Sequence, residues 1–228
     1  LSFLITFTWL ISNILLFKMK WVILATQRSG TVLLTNLINS HKSLKCNCEY
    51  NFINGEKYKN YNEFYDKMSD NNGYNLKYNQ LDHSDLKNKN IIHLIRKNVF
   101  ESSISQWINA HKKITKRTSH AFNGKNIYDV KFSIPYRELQ KIIIYRIKLI
   151  KEWINYSKLS KNLLTIYYED LIDKSISNKT VMSKNTQDKI CEFLNVPSQT
   201  MSTNLKKLNP TDYENYILNW DQIKELKN

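Results

Sequence analysis

Side chains able to grip an anion or move a proton gather in short stretches of this 228-residue chain. The first is Thr26-Gln27-Arg28-Ser29-Gly30-Thr31, set between an apolar run and an amphipathic helical pattern. A helix N-terminus presents unpaired N–H groups and the positive end of its dipole, a ready site for an anion. Gly30 lets the backbone approach a phosphate closely. Ser29 and Thr31 add hydroxyl donors, and Arg28 adds a charged fork. The same residues would also serve an ordinary capped helix carrying an exposed Arg. The second stretch is Leu94-Ile95-Arg96-Lys97-Asn98, followed by Ser102, Ser103 and Ser105. A basic pair at the C-terminal end of a strand sits where open parallel sheets bind ligands. A Ser about two turns into the next helix can face the same pocket. Solvated basic residues and a polar helix face are the plainer alternative. The third stretch is Tyr167-Tyr168-Glu169-Asp170-Leu171.

Elements must position these groups. Trp21–Thr26 is apolar, too short for a helix, and bounded by the Arg28 turn, so it predicts a buried parallel strand. Leu33, Leu34, Leu37 and Ile38 predict a helix over Thr31–Asn39. Further strands are expected over Asn75–Leu81 and Asn90–Ile95, and a buried one over Leu163–Tyr167. Helices are expected over Val99–His111 and Gln187–Leu194. A long helix is expected over Tyr136–Ser157, with an apolar stripe at Leu139, Ile143, Ile147, Ile150 and Ile154. A helical stripe also runs through Tyr213, Tyr216, Ile217, Trp220 and Ile223 within Asp212–Leu226. Strands alternating with helices predict an α/β fold, a central parallel sheet with helices on both faces. The polar stretches 54–72 and 112–133 are long enough to be lids or acceptor-binding elements.

Composition sets outer bounds. The chain is 42% apolar, so it is not a disordered protein. Lys and Arg number 34 against 20 Asp and Glu, a net charge of +14. An excess of that size suits an anionic partner, but compositional bias in a chain rich in Asn, Ile and Tyr would also produce it. The 3 cysteines make no disulfide framework and suggest a reducing compartment. Cys46 and Cys48 lack a second Cys or His pair to complete a zinc site, so no metal is expected. With 4 Gly and 3 Pro there is no linker, and residues 19–228 read as one domain. Residues 1–18 form an apolar segment, either a short membrane anchor or upstream sequence outside the working protein. Translation starting at Met19 would give a cytoplasmic protein; a real anchor would give a single-pass membrane protein.

Taken together, strand-Arg28-Ser29-Gly30-Thr31-helix, then Leu94-Ile95-Arg96-Lys97-Asn98 with Ser105, then Tyr168-Glu169-Asp170, resemble the family of sulfotransferases that use 3′-phosphoadenylyl sulfate (PAPS). The likeness runs from Lys20 to about Trp220. It implies a three-layer P-loop-like fold and PAPS as co-substrate. It implies that Arg28, Ser29, Gly30, Thr31 and Val32 hold the 5′-phosphosulfate, Val32 standing where the family often has a second Thr. Arg96 and Ser105 would hold the 3′-phosphate, with Lys97 able to share or take the Arg role. Tyr168 would lie near the adenosine, or else be a core aromatic. Lys206 or Lys207 would reach the 3′-phosphate from a C-terminal loop.

Members acting on small phenols use a Lys-x-His motif. Here Lys77 is kept, but Asn79 stands at the His position and cannot accept the proton. The likeness to carbohydrate- and tyrosyl-protein-modifying members places a Glu base at Glu49, with a sugar or protein tyrosine hydroxyl as acceptor. The plainer role for Glu49 is a surface salt bridge. His41, at a helix end, reads as a cap. Arg28 and Lys77 would hold charge on the leaving oxygens. Two other classes remain: a P-loop-like nucleotide kinase and a basic nucleic-acid-binding module. The first lacks the G-x-x-x-x-G-K-[ST] spacing and an acidic magnesium ligand. The second lacks a flat aromatic stacking surface, so no nucleic-acid partner is expected.

Overall fold

The structure, a computed structural model, describes residues 19–47, 65–78, 83–111, 131–173, 179–205 and 213–227. Five parallel strands form its centre: β1 (Trp21–Ala25), β2 (Lys45–Asn47), β3 (Asn72–Lys77), β4 (Asn90–Ile95) and β5 (Asn162–Tyr167), in the order β2-β3-β1-β4-β5. Every residue of β1 is buried, as an uninterrupted apolar run at the middle of a covered sheet requires. The chain leaves β1 towards β2 and β3 on one side and later returns to place β4 on the other. This reversal falls at the C-terminal ends of β1 and β4, the place where open parallel sheets bind ligands.

Helices cover both faces, as expected. On one, α1 (Thr31–Asn39) packs Leu33, Leu34, Leu37 and Ile38 against Trp21, Ile23 and Ala25. On the other, Trp153 of the long α3 (Tyr136–Ser157) joins Leu24, Tyr78 and Ile91. Between β4 and α3 in the chain, α2 (Val99–Ala110) packs Phe100, Ile104 and Ile108 with Leu139 and Ile143 of α3. A later helix, α4 (Lys184–Phe193), adds Ile190 and Cys191 beside α1. The short strands β6 (Thr180–Val181) and β7 (Ser202–Thr203) pair antiparallel. Among the described residues no helix is long and apolar enough to cross a membrane.

Several elements differ from expectation, each for a physical reason. β2 has no apolar run; the Asn39 side chain holds it by donating to the Cys46 carbonyl at 2.8 Å and accepting from the Cys46 N–H at 2.6 Å. β3 begins before Asn75 because Gly73 leaves room for the Trp21 indole, which a Cβ there would overlap. β5 is the edge of the described sheet rather than a buried strand, and Leu163 is 36% exposed. α3 is rotated from the expected stripe: Leu139, Ile143, Arg146, Trp153 and Ser157 face inward, while Ile147 is 38% exposed. The C-terminal stripe is not one helix. It divides into a 3-10 turn at Tyr213–Asn215, α5 (Trp220–Ile223) and a 3-10 turn at Lys224–Lys227. The intervening backbone is used elsewhere: Phe132 donates to the Tyr216 carbonyl and accepts from Leu218. The Asn219 side chain likewise brackets both backbone groups of Ile134.

Candidate active site

The turn between β1 and α1 takes two unusual backbone conformations in succession. Arg28 has φ 61°, and Gly30, the N-cap of α1, has φ 91°. The first is costly for a residue with a Cβ, by roughly 1 kcal/mol or more, and persists only where surroundings enforce it. No side chain caps α1, whereas Asn98 caps α2 and Ser183 caps α4. The helix's own ladder begins at Leu34, whose N–H reaches the Gly30 carbonyl at 3.0 Å. The N–H groups of Thr31 and Val32 precede that bond, so the helix itself gives them no acceptor.

Arginines from three elements surround this turn. Arg28 Nε donates to Ser105 Oγ of α2 at 3.1 Å, so the turn after β1 and the helix after β4 are joined directly. Arg96, at the end of β4, is buried and donates to the Arg28 carbonyl at 3.3 Å. Its other terminal nitrogen pairs with Glu101 at 2.9 Å, and its Nε has no partner. The Arg96 guanidinium lies 4.6 Å from the Tyr168 ring centre. That ring also covers Gly30, where a Cβ would overlap it. Burial pushes the Tyr168 phenol up from its usual range, with Arg96 opposing.

Arg146 carried no signal in the apolar stripe expected for α3. Only 2% exposed, it donates to the Gln27 carbonyl at 2.8 Å, to Thr26 Oγ1 at 2.9 Å and to Gln106 Oε1 at 2.7 Å. Its Nε also lacks a partner. Burial first, then the charge of Arg96, brings its pKa down to about 10, so it stays charged at neutral pH. The available signal was an Arg three residues after Ile143 and seven after Leu139, on one face of a helix.

The remaining expected residues fall into distinct settings. The Ser29 hydroxyl is fully buried and bonded to Thr26 Oγ1 at 2.5 Å, which turns it into the loop. Thr31 is buried at the first position of α1, with the half-buried Val32 next to it. Lys77 ends β3 and pairs in register with Ala25, the residue that ends β1. Lys97 points elsewhere from Arg96: its Nζ lies 4.1 Å from the Tyr167 ring centre and 3.9 Å from Asp170. The Glu169 carboxylate accepts the Lys97 and Asn98 N–H groups at 3.1 and 2.9 Å, tying the start of α2 to the end of β5. Ser102 and Ser103 donate back to the Val99 carbonyl within their own helix. His41 is buried, accepts the Ser43 N–H through Nδ1, and with Nε2 donates to the Pro197 carbonyl at 2.9 Å. It therefore fastens the end of α1. Glu49 and Lys207 lie outside the described residues, as do Asn79 and Lys206. Among the described residues no group of three His, Cys, Asp or Glu could hold a metal ion.

This arrangement suits a ligand with two anionic groups. One would meet the α1 N-terminus and Arg28, the other Arg96 and Ser105. The unpartnered Nε of Arg96 fits such a ligand. No protein-family model matches the chain, and no curated protein matches it. Among solved structures, the crystal structure of mouse sulfotransferase SULT7A1 complexed with PAP matches with a TM-score of 0.52 and 14% sequence identity. The match covers 91% of this chain and 81% of that one. The central parallel sheet with its covering helices is thus the fold of that sulfotransferase.

Proposed function

We propose that this chain is a sulfotransferase that moves a sulfuryl group from PAPS to an acceptor hydroxyl, of a sugar or a protein tyrosine. One observation carries the reading: the turn after β1 is joined to α2 through the Arg28–Ser105 bond and to the end of β4 through the bond from Arg96 to the Arg28 carbonyl, which gathers these groups into one cationic site. A fold shared with a PAP-bound sulfotransferase supports it. In this reading Arg28, Gly30, Thr31 and Val32 bind the 5′-phosphosulfate, mainly through N–H groups and the Arg28 fork. Ser29 contributes its backbone. Arg96 and Ser105 take the 3′-phosphate, while Lys97 supports the Tyr167-to-Asp170 segment. Tyr168 shields the site beside Gly30. Lys207, outside the described residues, is the remaining candidate for the 3′-phosphate.

PAPS supplies the sulfuryl group and an anionic leaving group. The acceptor oxygen attacks sulfur as its proton passes to Glu49, and the bond from sulfur to the 5′-phosphate oxygen breaks. Arg28 and Lys77 stabilise the charge that builds on that oxygen, so 3′-phosphoadenosine 5′-phosphate (PAP) departs. Residues 19–228 make up the catalytic domain.

Isothermal titration with PAP tests this. Saturable binding by the wild type is expected, weakened by about tenfold in Arg28→Ala and again in Ser105→Ala. A wild type that does not bind PAP would remove the proposal. Glu49→Gln should retain PAP binding and lose transfer.

A further inference from the structure

We propose that Arg146 is a positioning residue for the anion-binding turn, clamping it from beneath; this rests on the reading above that the turn receives a phosphate. Its partners make the case. Two of its hydrogen bonds go to Thr26 and Gln27, the residues just before the left-handed Arg28. A trans peptide carries its C=O and N–H on opposite edges. With the Gln27 carbonyl drawn to Arg146, the Arg28 N–H must face the other way. Arg96 does the same one peptide later, drawing the Arg28 carbonyl and turning out the Ser29 N–H. The two guanidiniums together fix the succession of conformations at Arg28 and Gly30 that a free turn would not hold. Thr26 passes the restraint on, since its hydroxyl meets both Arg146 and Ser29.

Charge is the second part of the argument. A guanidinium this buried is costly unless it is paired. The acceptors of Arg146 are a carbonyl, an amide oxygen and a hydroxyl, all neutral. Packing alone would favour an apolar residue such as those at the neighbouring inward positions Leu139, Ile143 and Trp153. An uncompensated cation directly beneath the turn instead raises the positive potential where the anion would sit, and pre-orders donors that the anion needs.

The experiment compares Arg146→Met and Arg146→Lys with Trp153→Leu. The last alters the same helix face two turns away without touching the turn. Three readouts are taken on each protein: PAP affinity, melting temperature and hydrogen exchange of residues 26–34. Arg146→Met should weaken PAP by about tenfold or more, and Arg146→Lys, which keeps the charge but not the fork, by less. Both should speed exchange in 26–34 but not in β4. Trp153 packs with Leu24, Tyr78 and Ile91, so Trp153→Leu should melt lower yet hold its affinity within about twofold. If affinity falls in proportion to melting temperature in all three, the role is merely structural and the proposal fails. If Arg146→Met does not fold, Thr26→Val and Arg146→Lys decide, since unchanged affinity in both overturns the clamp. Should the wild type not bind PAP, the reading of the site falls. The clamp is then judged on exchange alone, with faster exchange confined to 26–34 supporting it and unchanged exchange rejecting it.

Discussion

Two buried polar clusters touch the same face of α3, about two turns apart. Near Arg146, the arginines at 28, 96 and 146 crowd the turn after β1, two of them with an unpartnered Nε. Near Trp153, the Tyr78 hydroxyl and His93 Nε2 share a hydrogen bond at 2.5 Å, and Tyr78 stacks on the Trp153 ring with centroids 5.0 Å apart. The second cluster is neutral. Burial holds the His93 imidazole down to about 4 and pushes the Tyr78 phenol up. The first cluster keeps its charge because guanidinium does not give up its proton at neutral pH. A group that can neutralise itself settles into the core by doing so. A group that cannot must be held by a counter-ion or by neutral acceptors, as Arg96 is by Glu101 and Arg146 by Thr26, Gln27 and Gln106. The contrast separates polar residues that enter the core neutral from those that keep their charge beside the turn after β1.

Acidification should affect the Trp153 cluster most. His93 has an ordinary value of 6.5 and a folded value of about 4, so the unfolded chain binds more protons between them. The stabilisation from keeping His93 neutral is whole above about pH 6.5 and is lost as pH falls towards 4, by about 3 kcal/mol. Urea unfolding across that window measures it, and His93→Gln should flatten the dependence. An equally steep loss in His93→Gln would break the contrast. Arg96→Met comes next, with PAP affinity reduced by about a hundredfold, because a buried charged donor is lost together with its pairing to Glu101. Titration calorimetry reads this, and His93→Gln at neutral pH should bind PAP as the wild type does. A smaller effect is expected for Gly30→Ala. Its φ of 91° and the nearby Tyr168 ring predict about 1–2 kcal/mol lost in stability along with weaker PAP binding. Smallest is Tyr78→Phe, which removes the hydrogen-bond partner of His93 Nε2 and should cost about 1 kcal/mol by thermal melting, with PAP affinity unchanged.

Much of the fold was legible because local patterns agreed with the tertiary outcome. Trp21–Ala25 could only be a central strand, and the leucines of Thr31–Asn39 a helix against it. The Arg28 turn and the Arg96 strand end were legible for the same reason, since each sits where a strand hands over to a helix. Arg146 was not, because its meaning depends on a turn well over a hundred positions away. Its inward place also rotated α3, so that Ile147 and Ile154 of the expected stripe ended half exposed. β2 was hidden because it is a short strand without an apolar run, held between β3 and the Asn39 side chain. The C-terminal stripe misled because Tyr213, Ile217 and Ile223 are indeed buried, but on a backbone bent by pairing with Phe132. The difference between Arg96 and Lys97 was likewise a matter of direction: one turns to the Arg28 carbonyl, the other to Tyr167.

The central claim is that the site holds two phosphate groups on two strand ends. Parallel calorimetric titrations of the wild type with PAP and with adenosine 5′-phosphate, which lacks the 3′-phosphate, test it most directly. The account predicts that PAP binds at least about a hundredfold more tightly, the share of Arg96 and Ser105. Equal affinities for the two nucleotides would contradict it.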